Sequence, residues 1–212
     1  MQEYSLHNEN TMKPVFKNRK NQPIEVPNGE TIWNSRSCAV VAQVCGLILP
    51  ERRWYILLGK RGSGTPDFQG FWGLPCGYLD WDETLCEAVI REVWEECGLH
   101  LPKLSSHPDF VHSTSSITRD GEFTDTPWAV TDRVDNVKQN ISMHYFIPFV
   151  WQSKELPSLS ADNSDPNEVD ALAWVPIVEA MEMDLAFNHQ QRIRLLWNEQ
   201  NAIFRQIESH TV

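Results

Sequence analysis

Three glutamates, Glu92, Glu95 and Glu96, stand near the end of the run GYLDWDETLCEAVIREVWEECGL, Gly77 to Leu99. Its apolar residues recur at helical spacing: Leu85, Val89 and Val93 form a stripe that Cys86, Ile90 and Cys97 widen. At about 100° per residue the three carboxylates fall within an arc of about 100° beside that stripe. One side of the helix can therefore pack while the carboxylates converge above it. Carboxylates this close repel one another, and a helix C-terminus already carries the negative end of the macrodipole. A helix that serves packing alone favours Lys or Arg there. Hard oxygen donors at this density suit Mg²⁺ or Mn²⁺, which bind a few carboxylates and keep waters for a phosphate substrate. The competing reading of the same residues is a solvated acidic face.

The elements around this helix must position it. Asp80 or Asp82 is the expected cap at its start, and Gly98 the left-handed terminator at its end. Ser37 to Leu49 (SCAVVAQVCGLIL) reads as a central strand, followed by the turn Pro50-Glu51-Arg52 and a second strand, Arg53 to Lys60. Arg61 to Gly73 is Gly-rich but holds no G-x-x-x-x-G-K-[ST], so it is not a P-loop. Further strands are expected at Phe110 to Thr114, Met143 to Trp151 and Ala171 to Val175. Ser153 to Glu168 reads as a polar loop, and Ser115 to Asn140 as a stretch long enough for a lid, a binding loop or an interface. The tail from Asn188 to Glu208 reads as one amphipathic helix packed on the sheet through Ile193, Leu196, Ile203 and Ile207. Strands alternating with two separated helices imply an α/β sandwich around a mixed sheet. The expected organisation is a disordered segment 1–13 and one domain over 14–212. That domain divides into an N-terminal arm or hairpin 14–36, a core of about 37–180 and a C-terminal helix of about 186–208.

The chain has 212 residues, with 18 Lys+Arg against 29 Asp+Glu and a formal charge of −11. Such an acid excess opposes a sequence-independent grip on nucleic acid, which needs cations to displace phosphate counterions. It does not exclude phosphate chemistry, because a bound divalent cation can supply the positive charge. Hydrophobic residues at 41% and charged residues at 22% are ordinary globular usage, which excludes wholesale disorder and coiled coil. No apolar run approaches the roughly 20 residues that span a bilayer, and Met1 to Asn10 is not signal-like. The five cysteines are odd in number and lack C-x-x-C spacing, so they read as buried thiols in a reducing compartment. The expectation is a cytoplasmic protein without membrane contact.

The glutamate segment resembles the signature of the Nudix hydrolases, G-x5-E-x7-R-E-U-x-E-E-x-G-U with U a bulky apolar residue. Gly77, Glu83, Arg91, Glu92, Val93, Glu95, Glu96, Gly98 and Leu99 fill all nine constrained positions. The likeness extends over most of residues 37–180 through Gly59-Lys60-Arg61, Trp72-Gly73-Leu74-Pro75 and Ala173-Trp174-Val175. It implies an α/β/α sandwich and Mg²⁺-dependent hydrolysis of a nucleoside diphosphate linked to another moiety, with Mn²⁺ as an alternative ion. By position, Glu92, Glu95 and Glu96 would be the metal ligands, joined by the backbone carbonyl of Gly77. Glu83 and Arg91 would hold the segment in shape. Cys76 stands where the family usually has Gly, and a soft thiol there is expected to pack rather than to coordinate.

A water attacking phosphorus needs a base, and Glu95, Glu96 or, outside the segment, Glu168 are the candidates. Asp162, Asp165 and Asp170 compete with Glu168. Lys60, Arg61 and Arg119 are candidate phosphate contacts, and Trp128, Phe123, Trp72 and Tyr78 candidate surfaces for a base. The expected partner is a small phosphorylated substrate, a nucleotide derivative, with a homodimer left open. Subfamily markers are missing, so the substrate stays unnamed. Two other readings compete: a nucleotide-sensing module that has lost hydrolysis, and an isomerase on the same fold. The complete signature and a tail too short for a DNA-binding winged helix weigh against the first. The second would need a further catalytic Cys and Glu that the chain does not convincingly supply.

Overall fold

The computed structural model describes residues 22–29, 31–34, 38–134 and 139–209. The expectation of a disordered segment 1–13 falls outside them, as does part of the expected arm. Within the arm, strands β1 (Gln22–Glu25) and β2 (Thr31–Asn34) pair antiparallel around a turn in which Gly29, at φ 83°, donates its N–H to Val26.

Strand β3 (Cys38–Ile48) is buried on both faces, as its near-continuous apolar run requires. Val40, Ala42 and Val44 face one core, and Val41, Cys45 and Leu47 the other. It runs parallel to β9 (Gln139–Trp151), from Cys38 opposite Ile141 to Ile48 opposite Trp151. It is antiparallel to β4 (Arg53–Arg61), reached through a turn in which Arg52 adopts φ 50°. With β7 (Phe110–Ser113) and β10 (Val169–Pro176) the order is β10-β4-β3-β9-β7. The short strands β5 (Trp72–Gly73), β6 (Cys76–Tyr78) and β8 (Ala129–Val134) add to β4, β3 and β9 respectively.

Helix α1 (Leu85–Cys97) covers one face of this mixed sheet, burying Val89, Val93 and Cys97 against Tyr145, Ile147 and Phe149. Helices α2 (Ile177–Ala180), α3 (His189–Glu199) and α4 (Asn201–Ser209) cover the other, where Ile193, Leu196, Phe204 and Ile207 meet Trp54, Ile56 and Leu58. Each such side chain contributes about 1.5–3 kcal/mol when fully buried. The result is the expected α/β sandwich. Among the described residues, no helix is long and apolar enough to cross a membrane.

Three expectations change. The cap of α1 is Thr84, not Asp80 or Asp82. Thr84 accepts from the Glu87 N–H while the Glu87 carboxylate reaches back to the Thr84 N–H, and this reciprocal pair wins over a lone Asp. Asp82 instead turns the chain at φ 64°. The stretch Ser115 to Asn140 is not one long loop. The Asp125 carboxylate accepts from both the Ser115 and Ser116 hydroxyls and from the Ser116 N–H, tying its first half down, and β8 follows. The tail is two helices that break at Gln200 (φ −97°, ψ 14°), although both keep apolar residues on the sheet side.

Candidate active site

Strand β6 sets Gly77 opposite Val40 of β3 and leads the chain into α1. The Glu92 carboxylate lies directly on Gly77, where a Cβ would stand 2.1 Å from Glu92 Oε1. Only glycine admits that approach.

Arg91, the residue before Glu92, is buried, and its guanidinium spends all five N–H donors. Nε and one Nη grip the two Glu83 oxygens at 3.0 and 2.8 Å, and that same Nη also reaches the Tyr78 carbonyl at 2.9 Å. The other Nη reaches Glu92 at 2.6 Å and Glu95 at 3.1 Å. Burial by itself lowers the Arg91 pKa, but Glu83 and Glu92 more than reverse this and hold it above its ordinary value. Glu83 in turn accepts from the Asp80 N–H at 2.6 Å, which fixes the loop ahead of the helix.

Glu96 is half-buried and takes a 3.2 Å hydrogen bond from the Cys76 N–H. Burial and then the charges of Glu92 and Glu168 push its carboxyl well above the usual range. Glu92 is pushed up to about 7 by burial, with Arg91 pulling the other way. Glu168 is raised as well, chiefly by burial, against the Asp165 N–H that donates to it at 3.2 Å. In one cleft open to solvent, Glu96 and Glu168 share a lining with Lys60 and Arg61.

The loop carrying Glu168 is latched at both ends. Gly62 and Gly64 donate to the Glu168 and Asn167 carbonyls, each at 2.7 Å, and a Cβ on Gly62 would stand 2.2 Å from Asn167 O. At its other end the Ser160 N–H donates to the Cys97 carbonyl and the Asn163 side chain to that of Trp94, covering the end of α1. Asp162, Asp165 and Asp170 are exposed and do not line the cleft.

Arg61 bonds both the side chain and the carbonyl of Asp67 at 3.0 Å, and its guanidinium lies 4.8 Å from the centre of the Phe187 ring. Trp128 stands apart from the cleft lining, its indole N–H donating to Gln43 and its ring packed on the second core. Arg119 is exposed, Trp72 and Phe123 pack against the cores, and Tyr78 contributes its carbonyl to Arg91. The thiol of Cys76 is raised by burial and then by Glu96, so it stays protonated and packs on the second core.

The cleft also holds residues that reasoning from sequence did not single out, namely Thr65, Phe187 and His189. His189 is 4% exposed and accepts at Nδ1 from the Leu74 N–H at 3.0 Å. Burial and then its cationic neighbours lower it to about 3, so the ring is neutral with its proton on Nε2. No local signal marks these positions, because the tail meets Leu74 across 115 residues of sequence.

Among the described residues, no three Asp, Glu, His or Cys side chains form a ready metal cluster, and Arg91 bonds Glu92 and Glu95. The donor chemistry fits a hard cation all the same. Raised, mutually repelling carboxylates at Glu92 and Glu96 are what a divalent ion would relieve.

The profile of the NUDIX domain matches residues 40–196, most of the chain and all of this site. The chain belongs to the Nudix family. A curated relative, the RNA pyrophosphohydrolase of Gluconacetobacter diazotrophicus, is 27% identical over 149 residues, covering 67% of this chain and 81% of that protein. Other curated relatives match over less of themselves, down to 36% and 23% of their lengths. The Nudix hydrolase RenU of M. smegmatis superposes with a TM-score of 0.51 at 18% identity, over 84% of this chain and 95% of its own. A bifunctional NMN adenylyltransferase/ADP ribose pyrophosphatase from Francisella tularensis, solved with AMP and a Mn ion, gives 0.51 at 22% identity. That alignment covers 76% of this chain and 41% of that one, and both structures share the Nudix fold with it.

Proposed function

We propose that this Nudix protein is a divalent-metal pyrophosphohydrolase whose substrate is a small nucleotide derivative, a nucleoside diphosphate linked to another moiety. Hydrolysis of a pyrophosphate bond is the coarse activity that family membership supports. One observation carries the finer reading: Glu96 and Glu168, two raised carboxylates from separate elements, face one cleft with Lys60 and Arg61. Acids and cations together suit a substrate whose phosphates must be held while a water is deprotonated.

In this reading Glu92, Glu95 and Glu96, with the Gly77 carbonyl, would hold Mg²⁺ or Mn²⁺. The ion would neutralise phosphate oxygens and lower the pKa of a bound water. Lys60 and Arg61 orient the diphosphate, Arg61 being pre-set by Asp67. Glu168 takes the water proton at its carboxylate, a role its raised pKa suits, with Glu96 as the alternative base. Arg91 and Glu83 keep the helix and its preceding loop in register. The G. diazotrophicus relative is named for RNA, but a charge of −11 gives little grip on a polyanion, which favours a small nucleotide.

The test is a screen of the full chain for release of phosphate or nucleoside monophosphate. Substrates are ADP-ribose, NADH, dinucleoside polyphosphates, nucleotide sugars, NTPs and a 5′-triphosphate RNA oligonucleotide, each in Mg²⁺, Mn²⁺ or EDTA. Metal-dependent turnover of a small nucleotide is expected. Turnover that persists in EDTA overturns the metal assignment, and turnover of the RNA alone overturns the substrate class.

A further inference from the structure

Phe68 and Phe187 belong to neither apolar core, yet their half-buried rings meet at 4.6 Å between centroids, tilted by 58°. Phe187 lines the cleft that holds Glu96 and Glu168. Both phenylalanines have left-handed backbones, φ 52° at Phe68 and φ 57° at Phe187, and Asn188 follows at φ 59°. A bulky side chain avoids that region, and such conformations persist where the surroundings over-determine them, often at binding sites. Here the strained positions do not serve core packing. They set the Phe68 ring against Phe187 of the cleft lining, with Arg61 4.8 Å from the Phe187 centroid and Arg133 5.9 Å from that of Phe68.

We propose that Phe68 and Phe187 form a stacking subsite for the nucleobase of the substrate. The inference rests on the nucleotide reading of the cleft and adds the residues that would read the base. A π-face at the wall suits a planar heteroaromatic ring, and every base presents one. Arg61 and Lys60 beside it suit the phosphates attached to that base. An aliphatic group would need an enclosed apolar pocket, whereas this pair is only half-buried and is flanked by guanidinium groups.

Calorimetric titration of the full chain with AMP, GMP, CMP, UMP and ribose 5-phosphate tests this without requiring turnover. At least one nucleotide is expected to bind about tenfold more tightly than ribose 5-phosphate. Phe187→Leu and Phe68→Leu should each erase most of that difference while leaving ribose 5-phosphate within about twofold, and Phe187→Trp should retain it. A wild-type protein that binds no nucleotide better than ribose 5-phosphate overturns the proposal. So do Leu variants that weaken ribose 5-phosphate as much as the nucleotide, since the rings would then only be holding Arg61. Should Phe187→Leu fail to melt cooperatively, Phe68→Leu decides alone. Because binding is measured apart from hydrolysis, an inactive protein that still discriminates bases would sink the hydrolase reading and leave this one standing.

Discussion

Arg91 clasps both carboxylate oxygens of Glu83, eight residues before it, in a fork whose members are 5% and 7% exposed. The pair ties the middle of α1 to the loop in front of it. The same guanidinium also bonds Glu92 and Glu95, so one cation is shared among three acids. Removing one partner of a buried ion pair costs about 3–5 kcal/mol, because the other is left uncompensated. Arg91→Ala should therefore lose about that much in urea denaturation. Arg91→Lys should recover only part of it, since an ammonium has three donors for five acceptor contacts. A variant as stable as the wild type would show that Glu83 and Glu92 simply protonate.

Glu96→Gln separates chemistry from folding. If Glu96 holds the cation or takes the water proton, kcat should fall by about 10²–10⁴-fold in steady-state assays. Stability in EDTA should move the other way. A carboxyl raised by burial destabilises the fold when ionised, and the amide removes that charge, so Tm at pH 8 should rise. Glu168→Gln should also lower kcat but leave the affinity for Mn²⁺, read by paramagnetic resonance, near that of the wild type. Equal loss of Mn²⁺ affinity in both would place Glu168 among the ligands.

The helix with its acids was legible from sequence because its signals are local. The apolar stripe at 3.6-residue spacing and the left-handed Gly98 both act within a few turns. The cap was misassigned among several adjacent polar residues, since only the reciprocal Thr84–Glu87 pair distinguishes them. Strand β8 hid behind a polar run that Asp125 organises through contacts across nine and ten residues. The aromatic wall of the cleft was illegible for a longer-range reason: the tail folding back on the sheet carries Phe187 to Phe68 of the loop after β4, which no local period records. The break at Gln200 left no trace because the apolar face continues through it.

Gly62→Ala should damage activity while leaving the core intact. Gly62 does not have positive φ, so alanine meets no backbone penalty there. Its methyl would meet the Asn167 carbonyl at 2.2 Å and the Asp170 carboxylate at 2.8 Å, which forces the Glu168 loop away from the cleft. We expect kcat to drop at least tenfold with urea stability lowered by less than about 2 kcal/mol, within the ordinary range for a point substitution. Gly70→Ala is the control. Its left-handed φ of 80° costs stability, but a Cβ there meets no atom within 4 Å and should leave kcat alone.

The acid limb of stability should reveal His189. Its folded pKa, about 3, lies below the ordinary 6.5 because burial, then the charges of His144, Arg61 and Arg192, disfavour the imidazolium. The unfolded chain therefore binds a proton that the folded one refuses. The stability contributed is fully present above about pH 6.5 and is lost progressively as pH falls from there toward about 3. His144, lowered to about 4, adds a parallel share, while Glu92, Glu96 and Glu168, whose raised carboxyls bind protons in the folded state, oppose it over the same range. His189→Asn keeps an acceptor for the Leu74 N–H but cannot take a proton, so in denaturation at half-unit pH steps its stability relative to the wild type should rise as pH falls from 6.5 to 4.5. An unchanged slope would mean that the folded state admits the imidazolium at His189 and that the loss at low pH arises elsewhere.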